Sequence, residues 1–65
     1  MFTKGQRVLL DRSVVGHAEG YFQALKDEGT KATIRITVVR VVNGRRKSVT
    51  SYKEVPLSAV LRAAS

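Results

Sequence analysis

The chain has 65 residues, 43% of them hydrophobic, a formal net charge of +7 and no cysteine. That length makes one small domain with a modest core; the lack of cysteine excludes a disulfide framework and a thiolate metal site, and the lone His17 builds no metal site without carboxylate help. Lys31, Arg35, Arg40, Arg45, Arg46, Lys47 and Lys53 fall in one segment with no acidic residue among them, whereas basic and acidic groups cancel over the rest of the chain.

In chain order, Met1-Phe2-Thr3-Lys4-Gly5 lacks the apolar core of a signal peptide, and Lys4-Gly5 marks a turn. Residues 6–11 read as a first strand with Val8 and Leu10 on one face and Arg7 and Leu9 on the other. Residues 12–20 read as a loop in which Gly16 and Gly20 supply backbone freedom. Residues 21–25 resume extended structure, with either Tyr21 or Phe22 facing outward, and residues 26–30 form a polar turn.

Residues 32–42 give the strongest strand pattern, dominated by β-branched side chains that suit a pleated surface. Ile34, Ile36 and Val38 share one face; the apolar phase then slips to Val39 and Val41, which predicts a β-bulge. Asn43-Gly44 suits a type I′ two-residue hairpin turn. Counting outward from that turn sets Val42 opposite Arg45, Arg40 opposite Lys47, Val38 opposite Val49 as a core pair, and Arg35 opposite Tyr52; the predicted bulge allows a one-residue shift of this register.

Val55-Pro56-Leu57-Ser58 suits a short 3₁₀ turn, because proline fixes φ and cannot donate to a ladder. Residues 60–62 make a final strand, Leu57 and Val60 close the core, and residues 63–65 form a frayed tail after a single domain spanning 1–62. The expected fold is therefore all-β, a five-stranded SH3-like barrel with a 3₁₀ turn before the last strand.

Lys4-Gly5-Gln6-Arg7-Val8-Leu9-Leu10, followed by Gly16 and by Gly20-Tyr21-Phe22-Gln23-Ala24-Leu25, resembles the KOW motif of ribosomal proteins and transcription factors. The resemblance covers about the first third of the chain. It implies a barrel whose loops and strand faces hold RNA or the transcription machinery. The family's loop is usually basic, whereas this one carries His17 and Glu19. The segment from Val55 to Arg62 is also similar to the end of the plasmid-borne SH3-like dihydrofolate reductases, but Tyr52-Lys53-Glu54 stands where their active-site Val-Gln-Ile-Tyr run belongs. That likeness implies shared barrel closure, not shared catalysis.

The candidate binding residues are Arg35, Arg40, Arg45, Arg46, Lys47 and Tyr52. Arginine grips phosphate through a planar fork, lysine acts as a point charge, and an exposed aromatic among them stacks bases. The same charges also serve as plain solubilising groups on a strand edge. His17 with Asp11 and Glu19 reads as a solvated loop, since no nucleophile with an adjacent base accompanies it. The expected protein is a cytoplasmic, non-catalytic module without cofactor or membrane span, whose partner is nucleic acid. A protein adaptor that docks on an acidic surface, of phage, mobile-element or transcription and translation machinery, is the alternative. An oligomeric SH3-like enzyme is a third reading, and a homodimer through uncovered strand edges stays open.

Overall fold

A computed structural model describes residues 2–64; the expectations placed on Met1 and Ser65 lie outside the described residues. The elements are β1 (Arg7–Leu10), a single helical turn α1 (Arg12–Val15), β2 (Glu19–Lys26), a 3₁₀ turn (Asp27–Gly29), β3 (Lys31–Val42), β4 (Arg45–Pro56), a second 3₁₀ turn (Leu57–Ala59) and β5 (Val60–Ala63). All five strands pair antiparallel in one sheet of order β4-β3-β2-β1-β5. The sheet is open: β4 and β5 form its two edges and do not pair with each other.

Strand alternation places the core. Val8, Leu10, Phe22, Ala32, Ile34, Ile36, Val55 and Val60 are buried on one face, joined by Val15 from α1 and Ala59 from the second 3₁₀ turn. Phe2 packs against Phe22 with ring centroids 5.7 Å apart, and Leu57 covers the same cluster. Phe22 therefore points inward and Tyr21 outward. Charged and polar side chains stay out of the core altogether among the described residues.

Several expectations need correction. Residues 12–20 are not all loop, because residues 12–15 complete one helical turn. Asp11 caps it by accepting from the Ser13 N–H at 3.1 Å, and Gly16 closes it at φ 84°, where a side chain would be strained. Gly20 is not a flexible joint but a buried β2 residue opposite Val8. Ala63 ends β5, and the Ala64 N–H donates to the Arg7 carbonyl at 2.9 Å, so neither belongs to a frayed tail.

The predicted bulge in β3 is absent: β3 and β4 pair without interruption from Lys31↔Pro56 to Val42↔Arg45. The register shifts instead in β2, between Phe22 and Ala24, and again between β1 and β5. β2 accompanies β3 only as far as Arg35, whereas β4 accompanies it to the hairpin turn. Beyond Ile36 the two long strands therefore run on as a bare two-stranded ribbon, and the molecule measures 42 × 22 × 22 Å. This explains the phase slip. Once the ribbon has left the body, neither face is buried, so nothing holds apolar residues to one parity. Val38 does oppose Val49, but the pair is not core, because Val49 is exposed and Val38 half-buried.

Candidate functional site

Asn43 and Gly44 at the hairpin turn have φ of 52° and 75°, the two positive angles a type I′ turn requires. That turn fixes the register, and the register assigns every basic group to a face. Val42 opposes Arg45, Val41 opposes Arg46, Arg40 opposes Lys47 and Arg35 opposes Tyr52. Arg40, Arg45 and Lys47 lie on the face continuous with the core, together with Val38, Val42 and Val49. Arg46 lies on the outer face with Val39 and Val41. The tip is thus basic on both faces, with exposed valines between the charges.

Lys31 and Lys53 at the base of the hairpin are engaged by the body, unlike the basic residues at the tip. Lys31 Nζ lies 3.4 Å from Asp27 Oδ2 and 3.7 Å from Glu54 Oε1. Lys53 Nζ donates to the Val15 carbonyl at 3.1 Å, satisfying an orphan acceptor at the end of α1. Lys53 therefore ties the β4 edge to the helical turn. Arg7 Nε sits 3.7 Å from Glu19 Oε2. None of Arg40, Arg45, Arg46 and Lys47 has an acidic partner among the described residues. Arg40 and Lys47 face each other directly, an arrangement that like charges make unfavourable.

Arg35 and Tyr52 are brought together as register partners, but at the root of the ribbon, away from the tip. Counting from the hairpin turn found that pair. It missed Tyr21, which opposes Arg35 from β2 and carries the Arg35 guanidinium 4.7 Å from its ring centroid. The β2 bulge hid this partner, because it shifts the β2–β3 register and no local sequence signal announces it. His17 is half-buried after α1, while its expected neighbours are otherwise engaged: Asp11 caps α1 and Glu19 pairs with Arg7.

Comparison with known proteins finds no matching family model, no matching curated protein and no matching solved structure.

Proposed function

We propose that this protein is a small non-catalytic module that binds nucleic acid by laying the β3–β4 ribbon against the phosphate backbone. The observation that carries the reading is the free ribbon itself, which holds Arg40, Arg45, Arg46 and Lys47 beyond the body without a counter-charge among the described residues. A two-stranded ribbon is narrow enough to enter a major groove, and arginine forks match phosphate oxygens. An anion there would also relieve the Arg40–Lys47 repulsion.

The finer fold assignment belongs to the same reading. We read the open sheet as an SH3-like barrel of KOW type that has one hairpin drawn out. The placement of β1 between β2 and β5, and the 3₁₀ turn just before β5, support it. A cytoplasmic location is part of the same proposal.

The test is a binding titration against DNA and RNA at several salt concentrations, with the full chain and the Arg45→Ala/Arg46→Ala variant. Affinity is expected to fall steeply with salt, and the double variant to lower the log–log slope by about two at most. An absence of binding to either nucleic acid at low salt overturns the proposal.

A second reading, docking on an acidic protein, draws on the valines between the charges, of which Val41 is 70% exposed. It predicts a captured partner that survives nuclease treatment and is lost in the same double variant.

A further inference from the structure

A line of alternating arginine and tyrosine crosses four strands on the outer face of the sheet. Arg7 opposes Tyr21, Tyr21 opposes Arg35, and Arg35 opposes Tyr52. Direct register partners share a face, so the four side chains stand in one row. With neighbouring strands about 4.8 Å apart, the row is roughly 15 Å long. Its two central members are already stacked, the Arg35 guanidinium lying 4.7 Å from the Tyr21 ring centroid. A guanidinium stacked on a ring still offers its other planar face.

Two further features mark the row. The Arg35 Nε is buried and has no hydrogen-bond partner among the described residues, a donor that ordinarily finds an acceptor. Tyr52, the next member, is 64% exposed, a planar apolar surface left in water beside that donor. At the opposite end the row runs into a cleft of about 310 Å³ lined by Arg7, Leu9, Arg62, Ala63 and Ala64.

The geometry points to the Tyr21–Arg35–Tyr52 row as a base-stacking platform, which makes single-stranded nucleic acid the ligand in preference to duplex. This rests on the nucleic-acid reading above and deepens it. A flat sheet face reaches the π-faces of bases only when the bases are unpaired and unstacked; a duplex shows it only their edges. Tyr52 is an exposed ring standing next to the half-buried Arg35 in the same row. Arg46 shares this outer face and lies six residues along β4 from Tyr52, about 20 Å away. A strand leaving the platform along the ribbon therefore meets it. Stacking on such rings tolerates any base, so the expected binding is sequence-tolerant.

The experiment titrates the full chain with oligothymidylate, with oligouridylate and with a DNA duplex of equal length at one low salt concentration. Variants are Tyr52→Ala, Tyr52→Phe and Arg45→Ala/Arg46→Ala. A single strand is expected to bind about tenfold more tightly than duplex, as one stacked base supplies. Tyr52→Ala should weaken single-strand binding about 5- to 150-fold and duplex binding by less, with Tyr52→Phe restoring it. The chain has two tyrosines and no tryptophan, so tyrosine fluorescence should be quenched by the single strand. The two single-strand arms differ in the 2′-hydroxyl and show which nucleic acid is preferred.

Equal affinity for single strand and duplex, with no effect of Tyr52→Ala but loss in the double arginine variant, overturns the platform and leaves the ribbon reading standing. No binding in any arm overturns both.

Discussion

Gly20 shows how a single residue can be read correctly for importance and wrongly for cause. A Cβ built there would lie 2.5 Å from Ile34 Cγ2 and 3.1 Å from the Arg35 carbonyl oxygen. Glycine is required because β3 passes close by, a long-range contact that a glycine after a loop does not reveal. Gly20→Ala is expected to cost about 1–3 kcal/mol through overpacking, read as a lower denaturation midpoint. Its neighbour Ile34 is fully buried, so Ile34→Ala should cost about 2–5 kcal/mol in the same assay. Arg45→Ala and Arg46→Ala, by contrast, remove exposed groups and should each stay within about 0.5 kcal/mol. Binding losses in those variants therefore report the site and not the fold.

At the scale of elements, the hairpin was legible almost whole. Asn43-Gly44 fixed the turn, and counting from it reproduced every pair from Val42↔Arg45 to Arg35↔Tyr52. What sequence periodicity could not supply was burial. The slip from Val38 to Val39 looks like a bulge only if one face stays buried; the strand instead leaves the body, and Val39 is 59% exposed. Val41→Thr should accordingly change stability by less than about 0.5 kcal/mol. The one-turn helix was missed although Asp11 and Gly16 carried its cap signals, because four residues leave no periodicity to see. The ribbon also contains a conflict, the facing cations Arg40 and Lys47. Lys47→Glu turns the repulsive pair with Arg40 into an attractive one and should stabilise the ribbon by about 0.2–1 kcal/mol, seen as slower amide exchange over residues 38–49. The same change should weaken nucleic-acid binding. Gain of order with loss of affinity is the signature expected of a charge held for a partner.

Across the whole molecule, the charge excess read from the sequence is sharpened by pairing. Lys31 is occupied by Asp27 and Glu54, Lys53 by the end of α1, and Arg7 by Glu19. The ribbon tip gathers four cations, Arg40, Arg45, Arg46 and Lys47, that have no acidic partner among the described residues, at one end of a molecule 42 Å long. With four or five phosphate contacts to a single strand, the expected slope of log affinity against log salt is about −3 to −3.5. The sequence could name the basic residues but not this division, since the acidic partners of Lys31 come from the neighbouring 3₁₀ turn and from β4. The most direct test of the account is an amide chemical-shift titration of the isotope-labelled chain with a single-stranded oligonucleotide. Shifts should concentrate in residues 38–49 and around Tyr21, Arg35 and Tyr52, and should fade as salt is raised. Shifts centred on α1 and the His17 loop, with the ribbon unmoved, would contradict it.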